Sequence, residues 1–285
     1  MKIYQIGQNV VVQGDSKVKN ITKLRPSIKT SIDLIKVALG NDLSVSEYLK
    51  KTMDSKEGNS PNPSIMLNPR IPIDSPETWA FGVTYEDSMK ERQAESDTPD
   101  VYGKVYTADR PEAFFKSTLA RLKGPNDKVG IRKDSTWDVP EPELTFIVFH
   151  GQIVGFTVGN DMSSRSIEGE NPLYIPQAKI YNSSASIGPC WVPIELLDYN
   201  NLKVEMIIKR DSNEVFSGSG NTNLMKRKCD ELNKWLHSSN DIPDGSTVMT
   251  GTGTIPPEEF TLKAGDEISI TIENIGTLLN TVMEV

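Results

Sequence analysis

The hydrophobic pattern of this chain predicts mainly short strands. Apolar runs of about four to eight residues, alternating or continuous and bounded by Gly, Asp or Asn, are typical of strands. Two such runs, MKIYQIG and NVVVQG, lie at the start of the chain. The later runs are LTFIVFH, GQIVGFTVG, NLKVEMIIKR, DGSTVMTGTG, EISITIEN and LLNTVMEV.

Helical spacing occurs in fewer places. One helix is predicted around Ser31–Leu39 and a second from Glu86 to about Ala94. The clearest helix runs from Asn221 to His237. Its apolar residues recur at roughly helical spacing. Many strands beside few helices predict a β-rich α+β fold rather than a doubly wound parallel sheet. The apolar positions of the clearest helix are Leu224, Cys229, Leu232 and Leu236.

A stretch rich in Pro, Asn and Ser divides the chain. It reads GNSPNPSIMLNPRIPIDSP, from Gly58 to Pro76, and predicts an irregular connection. Residues 1–70 carry 11 Lys/Arg and 6 Asp/Glu, whereas the remainder carries 20 and 33. We therefore expect a small N-terminal α/β domain at residues 1–72 and a larger β-rich domain at residues 73–285.

Charge and cysteine usage narrow the class of protein. The net charge of −8 and the pI of about 5.0 argue against nucleic acid or an anionic membrane as partner. The start, MKIYQIGQNV, lacks the apolar segment of a signal peptide, and no apolar run approaches the roughly 18 residues of a spanning helix. Cys190 and Cys229 fit no C-x-x-C or zinc spacing. We therefore expect a cytoplasmic protein with reduced thiols.

Three carboxylates form the first candidate site. Glu141 and Glu143 are two residues apart in the strand opening EPELTFIVF, so strand alternation places both on one face. The next run, GQIVGFTVGND, offers a hairpin partner that ends at Asp161. Three carboxylates without imidazole or thiolate suit a hard divalent cation, Mg²⁺ first, with Mn²⁺ or Ca²⁺ as alternatives. From spacing alone, the other explanation is the solvated face of an edge strand.

Other catalytic groups are few. His150 is expected at a hairpin turn and His237 at a helix end, in structural or exposed roles. The sequence contains no nucleophile elbow, no P-loop and no G-x-G-x-x-G after a strand, so triad catalysis and a nucleotide cofactor lack support. Lys179 lies in PLYIPQAKIYNSSASIGP, a stretch rich in Gly, Ser and Pro that looks like a loop. Without further context we expect it to be a surface lysine.

Read together, these segments resemble the fumarylacetoacetate hydrolase superfamily. The E-x-E pair matches its first two metal ligands, and GFTVGNDMSSRS matches the segment of its third ligand, with Asp161 and Arg165 in place. QAKIYNSSASIGP, which contains Lys179, VMTGTG and KAGDEISITIENIGTLLNTV match three further segments. The resemblance covers roughly residues 78–285. It implies a catalytic domain of this type with Mg²⁺ held by Glu141, Glu143 and Asp161.

Two departures from the family pattern matter. In the hydrolases of the family, a histidine that serves water activation follows G-x-N-Y, whereas this chain reads GVTYEDSMKER and has Ser88 in that place. A missing imidazole removes the usual base for a hydrolytic water, which argues against C–C hydrolysis. A glutamate acting through water stays open as an alternative. Glu168 also stands where the family commonly has glutamine.

A narrower resemblance concerns the 2-keto-3-deoxy-D-arabinonate dehydratases of oxidative pentose breakdown. It rests on VYGKVYTADRPEAFFKST, STWDVPEPEL, ENPLYIPQAKIY and NTNLMKRK. It implies Mg²⁺-dependent conversion of 2-keto-3-deoxy-D-arabinonate to 2,5-dioxopentanoate and water. Lys179 and Glu112 are then base and acid, in an order that the sequence leaves open, and a bound cation should lower the pKa of Lys179. Implied substrate contacts are Arg110, Arg165, Thr252 and Ser88.

Rival functions remain open at this point. Within the family, they are a metal-dependent aldolase or an acylpyruvate-type hydrolase acting on a related 2-keto acid. Outside catalysis, the chain could be a keto-acid-binding protein that keeps the metal site. The resemblance also implies a homodimer or homotetramer.

Overall fold

The structure is a computed structural model that describes residues 1–55, 68–95 and 99–285. Residues 58–67 of the predicted connection therefore lie outside the described residues. The strands are β1 Lys2–Ile6, β2 Asn9–Gln13, β3 Val18–Asn20, β4 Glu77–Gly82, β5 Glu112–Thr118, β6 Leu122–Lys123, β7 Lys128–Ile131, β8 Asp138–Phe149, β9 Gln152–Ser164, β10 Ala185–Pro193, β11 Lys203–Arg210, β12 Asn213–Asn221, β13 Thr247–Met249, β14 Glu267–Ile272 and β15 Gly276–Glu284. The helices are α1 Ile21–Leu24, α2 Ser31–Leu39, α3 Val45–Asp54, α4 Glu86–Glu95, α5 Pro99–Thr107, α6 Arg165–Glu170, α7 Ile175–Lys179 and α8 Cys229–Leu236.

The described strands form two sheets. The larger sheet has the order β3-β2-β1-β10-β9-β8-β13-β4-β5, with β6 added beside β10. The smaller has the order β12-β11-β14-β15-β7. Most neighbours are antiparallel, and the parallel pairs are β13 with β4, β10 with β6 and β15 with β7. This β-rich α+β arrangement is the fold class that the sequence predicts.

Apolar side chains pack on both faces of the larger sheet. One buried cluster joins it to the smaller sheet and contains Phe146, Phe156 and Met206. The other cluster contains Leu34 and Trp191 and covers the opposite face with α2 and α3. Burial of each such side chain contributes about 1.5–3 kcal/mol, so the two clusters hold the long central strands rigidly in place. Among the described residues, no helix is long and apolar enough to cross a membrane.

The N-terminal strands extend the larger sheet. Strand β1 pairs with β10, with Ile3 opposite Trp191. The indole Nε1 of Trp191 donates to Ser31 Oγ at 2.9 Å, and this hydroxyl donates to the carbonyl oxygen of Pro72 at 2.6 Å. Residues 1–55 thus share a sheet and a buried cluster with the rest of the chain. The division into domains at residue 72 stays a prediction.

Most predicted elements are confirmed, but the helix Asn221–His237 is wrong in its first half. Helix α8 begins only at Cys229. Thr222 Oγ1 accepts from the backbone N–H of Leu202 and donates to the carbonyl of Tyr199, which ties this segment to the start of β11. Leu224, counted as a core position of the helix, is 62% exposed. The apolar spacing of residues 221–228 therefore reflects no helical face.

The loop-like stretch around Lys179 also contains regular structure. Its first part forms helix α7, and its last part begins strand β10, which pairs with β9. A Ser- and Gly-rich sequence lacks the apolar alternation of a typical strand. Backbone pairing within a buried sheet overrides this weak propensity.

Candidate active site

The hairpin of β8 and β9 brings the three predicted carboxylates together. The register places Glu141 directly opposite Asp161, and strand alternation adds Glu143 on the same face. Each of the three residues has a carboxylate oxygen that lies within 4.8 Å of a carboxylate oxygen of the other two. All three side chains are buried. The predicted constellation is therefore present in the fold.

The carboxylates do not lie on a solvated edge strand, so that alternative is wrong. Strand β8 lies between β9 and β13, but β13 ends at Met249, opposite Thr145. The part of β8 that carries the glutamates extends beyond this end, and it also contains Pro140 and Pro142. Proline cannot donate a ladder hydrogen bond, so it is tolerated where a strand lacks a second neighbour. The end of β13 thus opens a cavity in the sheet beside the carboxylates.

The turn after β13 closes one side of this cavity. The backbone N–H of Gly251 donates to Glu143 Oε2 at 2.7 Å. Gly251 has a φ of +88°, and a Cβ there would collide with Thr84 Oγ1. Glycine is therefore required for the backbone to reach the carboxylate.

Two buried lysines contact the carboxylates. Lys179, the last residue of α7, donates from Nζ to Glu141 Oε2 at 2.5 Å, Asp161 Oδ2 at 3.3 Å and Ser163 Oγ at 2.5 Å. This uses all three protons of an ammonium group. Lys116 of β5 lies 2.5 Å from Asp161 Oδ1 and donates to the carbonyl of Lys179 at 2.5 Å. Lys179 is therefore a buried site residue and not a surface lysine.

Two buried arginines complete the charge network. Arg165 Nη2 lies 3.0 Å from Glu141 Oε1, and Arg92 Nη2 lies 3.4 Å from the same oxygen. Arg92 Nη1 also contacts Glu168 Oε1, whose carboxylate lies 3.9 Å from Lys179 Nζ. We call Arg92, Lys116, Arg165 and Lys179 the four site cations.

These charges shift the pKa values of the carboxyl groups in opposite directions. Burial opposes ionisation of Glu141, but Lys179, Arg165 and Arg92 outweigh it and lower its pKa. Burial, together with repulsion from Asp161 and Glu141, raises the pKa of Glu143 well above its usual range. Like charges this close cannot all ionise comfortably unless a further cation lies among them.

The lysine pKa values depend on the same balance. Burial opposes the protonated form of Lys179, but attraction from Asp161, Glu141 and Glu168 outweighs it and raises the pKa. For Lys116, burial wins over the attraction of Asp161 and lowers the pKa. The lowered pKa that we expect for Lys179 beside a bound divalent cation stays a prediction.

The donor set fits a hard divalent cation. Glu141, Glu143 and Asp161 offer oxygen ligands, which Mg²⁺ prefers, and the raised pKa of Glu143 records crowding that a cation would relieve. No His or Cys belongs to this group of described residues. His150 is exposed at the β8–β9 turn and lies near Asp244, and His237 follows α8, as the sequence predicts for both.

Glu112 lies beside the cavity, at the start of β5 and next to Gly82 of the cavity wall. It lies opposite Gly82 of β4, and its carboxyl group rests against the space where a Gly82 side chain would stand. Burial raises the pKa of Glu112; attraction from Arg92 opposes this, and Glu168 adds repulsion. A partly buried carboxyl group in this position can hold a proton at a higher pH than an ordinary glutamate.

The predicted substrate contacts divide into two groups. Ser88, from the first turn of α4, and Thr252 line the same cavity as Lys179 and the carboxylates, and Arg165 contacts Glu141. Arg110 is not brought to the cavity. It is exposed, and its guanidinium lies 4.6 Å from the ring centre of Trp235.

Two site cations were missed by the sequence analysis. Arg92 follows Ser88 by four residues, so both lie on one face of α4, a spacing that could have identified it. Lys116 stands in the apolar segment EAFFKST, where a lysine is unusual unless it is paired. Neither signal names the partner, because the partners come from β9 and α6.

Comparison with known proteins places the chain in a family. The family model "Fumarylacetoacetate (FAA) hydrolase C-terminal" matches residues 77–283. This chain belongs to the fumarylacetoacetate hydrolase family. The resemblance described from the motifs is thereby confirmed, as is the expected family-type fold.

Two relatives in the fumarylacetoacetate hydrolase family are named as dehydratases. A probable 2-keto-3-deoxyxylonate dehydratase of Haloferax volcanii is 44% identical over 272 residues, 95% of this chain and 94% of the relative. The 2-dehydro-3-deoxy-D-arabinonate dehydratase of Saccharolobus solfataricus is 42% identical over 218 residues, 74% of this chain and 73% of the relative.

A solved structure within the family extends the comparison to the whole fold. It is a 2-keto-3-deoxy-D-arabinonate dehydratase complexed with magnesium and 2,5-dioxopentanoate, with a TM-score of 0.82 and 30% identity. The match covers 100% of this chain and 99% of that chain. The N-terminal part of the chain is thus included in the structural likeness.

Proposed function

We propose that this protein is a Mg²⁺-dependent dehydratase that converts 2-keto-3-deoxy-D-arabinonate to 2,5-dioxopentanoate and water. The observation that carries the proposal is the position of Lys179, whose Nζ lies within hydrogen-bonding distance of both Glu141 and Asp161. An amine in this place can reach a substrate that binds at the three carboxylates. The relatives support the substrate class, because two are named as dehydratases of such sugar acids.

The metal requirement follows from the donor set. Glu141, Glu143 and Asp161 would hold the ion. When bound, Mg²⁺ supplies positive charge that stabilises an oxygen on which negative charge develops, here the keto oxygen as the C3 proton leaves. The side chains of this protein then have to bind the substrate, remove the C3 proton and protonate the departing C4 hydroxyl.

Lys179 and Glu112 are suited to these two proton transfers. The raised pKa of Glu112 favours it as the acid that gives a proton to the C4 hydroxyl, which leaves as water. Lys179 Nζ is then the base at C3. A cation held by Glu141 and Asp161 would offset the two largest attractions that hold the proton of Lys179, and burial then favours the neutral amine. Further proton shifts that end with an aldehyde at C5 give 2,5-dioxopentanoate.

The remaining cavity residues orient the substrate. Thr252 and Ser88 carry hydroxyl groups at the cavity wall, and Arg165 contacts Glu141. We assign Thr252 and Ser88 to contacts with the substrate carboxylate or hydroxyls. Arg110 stays a predicted contact, although it lies outside the cavity. A cytoplasmic setting, a role in pentose breakdown and a homodimer or homotetramer belong to the same proposal.

Product analysis tests the proposal. Incubation with 2-keto-3-deoxy-D-arabinonate and Mg²⁺, followed by NMR, should yield 2,5-dioxopentanoate. Lys179→Met should lower kcat by a factor on the order of 100 or more, because the base is lost. The exposed Lys128→Met is the matched control and should keep full activity. Pyruvate with glycolaldehyde would instead identify an aldolase, and no turnover of this substrate would refute the assignment.

A further inference from the structure

The charges around the cavity are close to balance. The four site cations face five carboxyl groups, which are the three metal-site carboxylates, Glu112 and Glu168. With every group ionised, this set has a formal charge of −1. A divalent cation changes that charge to +1, and a ligand with one carboxylate brings it to zero. A second ligand carboxylate would leave a buried negative charge without a partner, which is costly.

Arg92 is the cavity cation to which a second carboxylate would bind. It projects from α4 with 8% of its side chain exposed and lines the cavity together with Ser88 and Lys179. Lys179 contacts metal-site carboxylates, whereas the closest acidic partner of Arg92 is Glu168. Guanidinium is well suited to bind a carboxylate through two hydrogen bonds. In this structure that capacity is directed to a carboxylate of the protein itself.

Glu168 has no role in the proton transfers assigned above. It lies in α6 with 2% of its side chain exposed, between Arg92, Arg165 and Lys179. A buried carboxylate that neither holds the metal nor transfers a proton needs another reason to be there. Its position beside Arg92 gives that reason.

We propose that Glu168 is a specificity-determining residue, which pairs with Arg92 so that the cavity accepts 2-keto acids with one carboxylate and excludes 2-keto dicarboxylates. This inference rests on the proposed function, because it takes a 2-keto acid as the ligand. The exclusion is electrostatic. A distal carboxylate would meet an Arg92 whose charge is already neutralised by Glu168. It would also lie close to the Glu168 carboxylate, and like charges in a buried site repel strongly.

The same pair suits a hydroxylated substrate. Hydroxyl groups can donate to the oxygens of Glu168 or Glu112 and can accept from Arg92. One pair of side chains therefore attracts an uncharged, hydroxyl-bearing end and repels a charged end. Specificity built on a repulsive element is tested by removing that element.

Binding of two five-carbon keto acids provides the test. 2-Oxopentanoate and 2-oxoglutarate differ at the far end, where one has a methyl group and the other a carboxylate. Each acid is titrated calorimetrically, in the presence of Mg²⁺, into wild type, Glu168→Gln, Arg92→Gln and the double variant of both. The control is Glu170→Gln, which changes an exposed carboxylate of the same helix. Thermal melting of each variant establishes that it is folded.

Wild type and Glu170→Gln should bind 2-oxopentanoate at least about tenfold more tightly than 2-oxoglutarate. Glu168→Gln should shift the ratio of the two affinities by roughly tenfold toward 2-oxoglutarate, because Arg92 can then pair with the distal carboxylate of that ligand. The double variant lacks this arginine and should lose the gain in affinity for 2-oxoglutarate. Arg92→Gln alone should widen the preference for the monoacid, which gives an independent test if Glu168→Gln does not fold.

The outcomes separate this inference from the proposed function. Equal binding of the two acids by wild type, or a ratio that neither Glu168→Gln nor Arg92→Gln changes, overturns the role of Glu168 and leaves the dehydratase proposal standing. Binding of neither acid by wild type in the presence of Mg²⁺ overturns this inference alone, because the proposed function is decided by turnover of 2-keto-3-deoxy-D-arabinonate.

Discussion

At the scale of single residues, Gly82 keeps Glu112 in place at the cavity. The two residues are paired between β4 and β5, and a Cβ at position 82 would overlap Glu112 Oε2. Gly82→Ala must therefore displace the carboxyl group. We expect kcat for dehydration to fall by roughly tenfold or more, because a misplaced proton donor loses its geometry.

The control is Gly14→Ala, in which the atom nearest to the new Cβ is the flexible Met53 Cε at 3.3 Å. The activity of this variant should be unchanged. Equal kcat values for both variants would argue against Glu112 as the acid.

Asp138 makes stability depend on pH away from the cavity. Burial raises its pKa from 3.8 to about 6, against hydrogen bonds from Ser135 and the backbone of Arg132. The folded protein thus binds this proton more tightly than the unfolded chain, so stability is lost as pH rises from about 4 through 6.

The variant Asp138→Asn has no carboxyl group to ionise at this position and therefore avoids the loss of stability. Its melting temperature should exceed that of wild type at about pH 8 by more than at about pH 5. A difference that is independent of pH would contradict this explanation.

The sequence identified some site residues and missed others for a physical reason. Glu141, Glu143 and Asp161 follow from strand alternation and one hairpin, both of which are local. Arg92 is buried because α4 packs against α6, and Lys116 is buried because β5 packs against α7 and the lysine reaches Asp161 of β9. No local pattern encodes that packing. The family motifs located Lys179, whose surroundings alone looked like a loop.

At the scale of elements, the C-terminal end of α5 is held in place by the side chain of Arg227, which lies between β12 and α8 in the chain. The buried Arg227 donates to the carbonyl oxygens of Ala108 and Asp109 at the C-terminal end of α5 and also pairs with Glu231 of α8. Arg227 also donates to the carbonyl oxygen of Val105 in the last turn of α5, where a helix leaves carbonyls without intrahelical partners. The pairing therefore joins the α4–α5 region, which carries Ser88 and Arg92, to α8.

Removal of this link should loosen the α4–α5 region. We expect Arg227→Met to lower the free energy of unfolding by about 2 kcal/mol, because partly buried carbonyls lose a charged donor. Urea unfolding measures this change, and limited proteolysis should show earlier cleavage near α5. Lys228→Met, at an exposed neighbouring position, is the control and should match wild type. An Arg227→Met variant as stable as Lys228→Met would show that the contacts contribute nothing.

Strands were easier to predict than helix limits. The long strands β8, β9, β11, β14 and β15 carry apolar residues in patterns that local sequence reveals. The true start of α8 depends on Thr222, whose hydroxyl group bonds to the backbone at Tyr199 and Leu202. Strand β10 contains Ser, Gly and Pro, and it is a strand because β9 pairs with it.

At the scale of the whole molecule, the fold gathers charges from distant parts of the chain around one cavity. Carboxylates come from β5, β8, β9 and α6, and cations come from α4, β5, α6 and α7. The two apolar clusters keep these elements in register. A divalent cation and a monocarboxylate ligand together neutralise the site, so the metal and the substrate belong to one electrostatic design. The central claim is therefore that dehydration requires a metal bound by Glu141, Glu143 and Asp161.

Metal dependence of turnover tests this claim most directly. Conversion of 2-keto-3-deoxy-D-arabinonate is followed by NMR after treatment with EDTA, and again after its removal and addition of Mg²⁺, for wild type, Asp161→Asn and the exposed control Asp134→Asn. EDTA should abolish turnover in wild type and Asp134→Asn, and Mg²⁺ should restore it in both, whereas Asp161→Asn should stay inactive before and after the addition of Mg²⁺. Turnover that persists in EDTA, or that Mg²⁺ restores fully in Asp161→Asn, would contradict the account.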